Sequence, residues 1–157
     1  MALVTDPPYF TYDDAVALLG LQTMEACLDD ENTGAVDVPT FNRLGNLACT
    51  RVDGFLKRVY PGPFPITQTP VPADIQIAAL AWFRAFTYER HLEYVRQYGK
   101  GPREEAMKLC EDLTDSKEWL ADLASGAPPE NAGGIVTDQG PRMIVAGPAG
   151  QRNSGDF

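Results

Sequence analysis

An all-α bundle of three long helices and one short N-terminal helix, followed by an extended C-terminal arm, is the fold class the sequence predicts. Three observations predict it. Residues 73–98 run without a Gly or Pro. Residues 39–60 repeat apolar side chains every three or four positions, as one face of a helix does. Beyond residue 126 the composition turns to Gly and Pro, about a third of all residues there, a level found in tails and linkers. The expected division is a helical domain over residues 1–126 and a Gly/Pro-rich arm over 127–157.

At the front, Thr11 followed three residues later by Asp14 is a capping pattern. It opens a helix of about two turns through Ala15, Val16, Leu18 and Leu19 that Gly20 ends. Next comes an acidic turn whose order resembles a calcium loop, with Asp29, Glu31, Gly34, Val36 and Asp37 in sequence. The pattern fails at Thr33, where a ligand belongs, and at Thr40, where the bidentate Glu belongs. An Asx/Gly turn leading into a helix explains the same residues. The helix that follows covers 39–60, with Phe41, Leu44, Leu47, Val52, Phe55 and Leu56 on its apolar side and Arg51, Asp53, Lys57 and Arg58 on its polar side. Five prolines between Pro61 and Pro72 make a stiff, extended crossover.

Residues 72–98 then read as one continuous helix of roughly 40 Å at 1.5 Å per residue. Pro72 suits its start, Asp74 its positive end, and Gly99 the left-handed position after its last turn. From Ile75 to Phe86 it is apolar on nearly every side, with Gln76 and Arg84 the exceptions, so it should be covered all round. Its second half, with Glu89, Arg90, Glu93 and Arg96 around Leu92, Val95 and Tyr98, is amphipathic. The last helix runs from Gly101 and Pro102 through Met107, Cys110, Leu113, Trp119 and Leu123 to a stop at Gly126. The arm holds two apolar islands, Ile135 with Val136 and Met143 to Val145. They are expected to be mobile in the isolated chain and to order against a neighbour, with Arg142 making a charge contact there.

Composition narrows the function classes. The 22 acidic against 13 basic residues give a net charge of −9, which argues against gripping DNA or RNA through phosphate contacts. The asymmetry is local: residues 1–42 hold eight acids and no Lys or Arg, while residues 43–126 balance eleven of each. Such a segment is a solvated face, a patch that repels nucleic acid, or a surface for a basic partner. Cys27, Cys49 and Cys110 lack metal-ligand spacing and read as buried thiols in a reducing compartment. A lone His91 leaves no zinc pair, and in its charged surroundings it reads as a surface or cap residue. Asp53 has a lysine or His91 as its available partners. No phosphate loop follows a strand and no Ser/His/Asp order occurs, so neither enzyme nor cofactor is expected. Neither a signal peptide nor a membrane span is expected.

The order of parts resembles a known family. Val52-Asp53-Gly54-Phe55-Leu56 runs to Tyr60-Pro61, and Pro72-Ala73-Asp74-Ile75 opens a helix with following Ala, Arg and Tyr residues. Preceded by a Tyr/Asp-rich short helix and an acidic glycine turn, this order over residues 9–125 resembles the head-tail connector, or head-completion adaptor, proteins of the neck of Mu-like prophages and tailed phages. The resemblance implies a structural protein of the virion, made in the host bacterial cytoplasm. Its copies would form a cyclic homo-oligomer, a dodecamer in the virion, beneath the portal protein. They would extend the DNA channel without binding DNA specifically and offer a surface to other neck and tail proteins. Asp13, Asp14, Asp29, Asp30, Glu31 and Asp37 would form the acidic channel lining or docking patch. Ile135, Val136, Arg142, Met143, Ile144 and Val145 would form the arm's interface. The competing reading is a small acidic helical regulator that sequesters a basic partner.

Overall fold

The computed structural model describes residues 3–125. Met1–Asp122 form one compact unit, and of the second, from Leu123 onward, residues 123–125 are described. The six arm residues from Ile135 to Val145 named above lie outside the described residues. Within these, all regular structure is helical: α1 Tyr12–Leu19, α2 Leu21–Leu28, α3 Val38–Leu56, α4 Ala73–Tyr88, α5 Leu92–Tyr98, α6 Gly101–Ser116 and α7 Glu118–Ser125. Seven helices thus stand where four were expected.

The N-terminal part follows its caps. Asp14 N–H donates to Thr11 Oγ1 at 3.1 Å and Thr11 N–H donates to the Asp14 carboxylate at 2.8 Å, a complete capping box for α1. Gly20, at φ 85°, ends α1 and starts α2 in a single residue, a turn that an L side chain would strain. The sequence reading passed over α2, although Leu21, Met24, Cys27 and Leu28 recur at three and four; the one-residue junction and the acidic turn behind it hid the period. Asp37 caps α3 by accepting from Thr40 N–H at 3.1 Å. That helix ends at Leu56, short of the expected residue 60. Tyr60 precedes Pro61, and the residue before a proline is pushed out of helical geometry.

The expected helix over 72–98 is two helices. Residues 89–91 break it, and each of the three makes a contact elsewhere. Glu89 accepts both Nε and Nη2 of Arg103 at 2.8 Å. Arg90 donates from Nε to the Cys27 carbonyl at 3.1 Å and pairs with Asp30. His91 caps α5, its Nδ1 accepting from Glu93 N–H at 3.3 Å. The gain is a tyrosine stack: Tyr94 and Tyr98 each lie 5.0 Å from the Tyr88 ring. An unbroken helix would place Tyr94 roughly 120° around and about 9 Å along the axis from Tyr88, out of stacking reach. The expected last helix is divided too. Lys117 adopts φ 57° between α6 and α7, and the Trp119 ring N–H turns back to donate to the Leu113 carbonyl at 2.8 Å.

The core is built around α4, which packs on α3, α6, α1 and α2. Phe83 sits 5.3 Å from Phe10 and 5.4 Å from Phe41. Trp82 donates its ring N–H to Cys110 Sγ at 3.2 Å, with the Arg51 guanidinium 5.4 Å from the ring centre. The helix is not covered all round, however: Ile77 is 51% exposed and Leu80 half-buried. Arg84, one polar residue in an apolar run, lies on the same side seven residues after Ile77, and it marks the open face. The N-terminal segment supplies the remaining cover. Pro7 lies so close over α3 that a Cβ on Gly45 would come within 2.3 Å of its Cγ.

Two substitutions test this packing. Phe83→Asp puts an unpaired charge in a fully buried position and is expected to cost several kcal/mol, whereas Leu80→Asp on the open side should cost far less. Equal losses of melting temperature would contradict the placement of these faces. Gly45→Ala forces Pro7 off α3 and should destabilise by about 1–3 kcal/mol, read as a lower urea midpoint at unchanged slope.

Candidate functional site

The acids singled out from the sequence hold much of the fold together. Asp14 completes the α1 capping box and also accepts from Gln76 Nε2 on α4 at 3.1 Å. Asp29 organises its own turn, accepting Thr33 N–H at 2.8 Å and Gly34 N–H at 2.6 Å. These amide bonds hold its carboxyl below the usual carboxylate range. Asp30 accepts Thr40 Oγ1 at 2.7 Å and pairs with Arg90, and both contacts lower its pKa. Asp37 caps α3. Asp13 and Glu31 stay exposed. Asp29, Glu31 and Asp37 line a shallow cleft, Asp30 and Asp37 meet at Thr40, and Asp13 and Asp14 lie on α1. The calcium-like turn is closed by its own amides, and among the described residues no three His, Cys, Asp or Glu side chains gather as a metal site.

Asp53 has neither lysine nor histidine as its hydrogen-bond partner. It accepts the hydroxyl of buried Tyr9, whose oxygen in turn accepts Ile66 N–H at 2.9 Å. This relay ties the N-terminal segment, α3 and the proline-rich crossover at one point. Burial raises the Asp53 carboxyl, against the opposing pull of the Tyr9 bond, and raises the Tyr9 phenol above its ordinary range. Sequence reasoning missed Tyr9, since an aromatic in the irregular segment before a helix carries no period. The three cysteines are free and buried; burial pushes Cys27 and Cys110 up to about 11 and Cys49 up to about 12, so none is a ready thiolate at neutral pH.

Among the described residues, apolar side chains are exposed in a groove and on a short helix. The groove is lined by Leu18 of α1, Ile77 and Leu80 of α4, and Leu109 of α6, with the Arg84–Glu105 ion pair at one end. It continues past Ile77 to Asp74 and Asp112. The short helix is α5, where Leu92 is 62%, Val95 39% and Tyr98 43% exposed. No residue of α5 is buried; the helix is held to the body through its tyrosine stack. No helix among the described residues is long and apolar enough to cross a membrane. Neither family models, curated proteins nor solved structures give a match to this chain.

The carboxylates give a pH signature. A group whose pKa is lowered on folding, such as Asp29, contributes stability above its unfolded value near ~4, and that contribution is lost as pH falls through the folded value. Asp53, raised by burial, acts in the opposite sense: its contribution is full at low pH and lost as pH rises through its raised value. Asp29→Ala should therefore melt below the parent at pH 7, and the gap should close as pH is brought down to about 3. A gap independent of pH would mean the carboxylate does not hold the turn.

Proposed function

We propose that this chain is a structural protein of the phage neck, a ring-forming head-tail adaptor that docks under the portal, extends the DNA channel and provides the attachment surface for the tail. The observation that carries this reading is the pair of apolar faces on an otherwise well-packed helical body, the α1/α4/α6 groove and the outer side of α5. Exposed apolar surface supports a reading in which neighbouring copies cover it. The order of sequence words shared with neck adaptors supports the same reading. Three long helices, α3, α4 and α6, form the bundle in this account, and residues 127–157 form the arm, its islands at Ile135–Val136 and Met143–Val145 adding to the portal or to a neighbouring copy. Copies close as a cyclic homo-oligomer, a dodecamer in the virion. DNA passes through unbound, and no catalysis is involved.

The acidic residues take a smaller part than the sequence led one to expect. With Asp14, Asp29, Asp30 and Asp37 engaged inside the protomer, exposed Asp13 and Glu31 are the members most available to face DNA or a basic neighbour. The same engagement weakens the rival reading of a regulator that binds a basic partner through this segment.

Purified protein added to portal-containing heads that lack neck proteins should join them, whereas the double variant Ile135→Asp with Ile144→Asp should keep its helical signal and fail to join. Failure of the unmodified protein to bind such heads would refute the assignment. A gel shift at low salt should show no stable complex with duplex; submicromolar affinity falling steeply with added salt would place phosphate contacts at the centre of its function instead.

A further inference from the structure

The groove runs along α4 from Asp74 to Arg84, α5 follows the last turn of the same helix, and the two carry opposite orders of charge. With 16 residues, α4 spans about 24 Å. The tyrosine stack holds α5 against Tyr88, at the last turn of α4. Along the groove the charges run from Arg84, paired with Glu105, at one end to Asp74 and Asp112 at the other, where Lys108 lies 3.7 Å from Asp112. Along α5 they run from Glu93 in the first turn to Arg96 in the last, with Lys100 just beyond. α5, seven residues and about 10 Å long, is shorter than the about 15 Å of helix axis from Asp74 to Arg84 and so fits within the groove.

We propose that α5 of one copy docks in the α1/α4/α6 groove of the next, with Leu92 and Val95 against Leu18, Ile77, Leu80 and Leu109, and with Arg96 and Lys100 directed to Asp74 and Asp112. The inference rests on the ring-forming reading above and identifies its subunit contact. In this pose α5 runs antiparallel to the neighbour's α4, so Glu93 lies toward Arg84 and its cationic end toward the carboxylates. It is an amphipathic helix laid in an apolar groove, with charge setting its direction. Because the two faces differ, the contact is heterologous: each copy offers one of each, and repetition closes a ring or continues as a filament. The bonds of Glu89 to Arg103 and of Arg90 to the Cys27 carbonyl and Asp30 hold α5 at its angle to α4 and so set the rotation between copies.

The test uses the full-length chain in analytical ultracentrifugation over a range of concentrations. The parent should self-associate, less so in high salt. Ile77→Glu and Leu92→Glu, both at exposed positions, should each stay folded and monomeric. Mixed, the two variants should form a 1:1 dimer that grows no further, because the mixture contains one intact pairing of groove and α5. A parent monomeric at its highest soluble concentration, variants that associate like the parent, or a mixture that gives no dimer would each overturn the contact. If replacing Met143, Ile144 and Val145 by Asp abolished association while Leu92→Glu left it intact, the arm and not α5 would fill the groove. Parent and both glutamate variants joining portal-containing heads alike would overturn the contact and leave the neck assignment standing.

Discussion

Cover for the aromatic side of α4 is the constraint on which the other elements depend. Trp82, Phe83 and Phe86 are buried on one short helix, and full burial of such side chains is worth roughly 1.5–3 kcal/mol each against exposure. A two-helix contact leaves much of so wide an apolar arc in water. Here α3 and α6 pack on α4 and on each other, α1 and α2 add further cover, and the N-terminal segment with Pro7 and Phe10 lies over α3 and Phe83. Gly45 permits that last approach. The alanines on the same helix, Ala78, Ala79, Ala81 and Ala85, are all buried and let the flanking helices come close to the α4 backbone.

Polar contacts decide how that cover is locked rather than how strongly it is driven. Tyr9, Asp53 and Ile66 N–H form one relay between three segments that share no helix. A net hydrogen bond to a charged group contributes about 1.5–3 kcal/mol, similar in size to the cost of leaving a buried partner unmet. The relay therefore adds modest stability and considerable discrimination: a crossover in any other register would strand the Tyr9 hydroxyl or the Ile66 amide inside the protein. Surface pairs such as Lys108–Asp112, far apart and exposed, contribute little by comparison.

The helical class, the α1 capping box, the α3 period and the central place of α4 were legible because each rests on local chemistry repeated along the chain. The helix breaks were not. Residues 89–91 contain no Gly or Pro, and the forces that open the helix there come from Arg103, Cys27, Asp30 and the tyrosine stack, most of them distant in sequence. Lys117 in a left-handed conformation carries no local signature either; Trp119 reaching back to Leu113 holds it. The acids show the converse. As a run of negative charge they read as a surface for partners, yet spacing alone does not distinguish a solvated carboxylate from one that caps a helix or closes a turn. Asp29 and Asp37 precede the residues they organise by three to five positions and Asp14 follows Thr11 by three, and that signal was present in the sequence.

The break after Tyr88 also changes what the amphipathic stripe at Leu92, Val95 and Tyr98 means. On a continuous helix those residues would extend the α4 surface in a direction fixed by helical phase alone. Once the chain has turned at 89–91, phase no longer sets their direction; the cap at His91 and the stack on Tyr88 do. A stripe that would have been one more strip of core becomes a separate short helix, without a single buried residue, held out from the body by three aromatic rings. Seven residues are too few for an isolated helix to persist in water, so α5 depends on its two caps and its tyrosines for its shape. That exposed apolar face is the one the proposed contact between copies uses, against a groove along α4 with an apolar floor and the complementary order of charges.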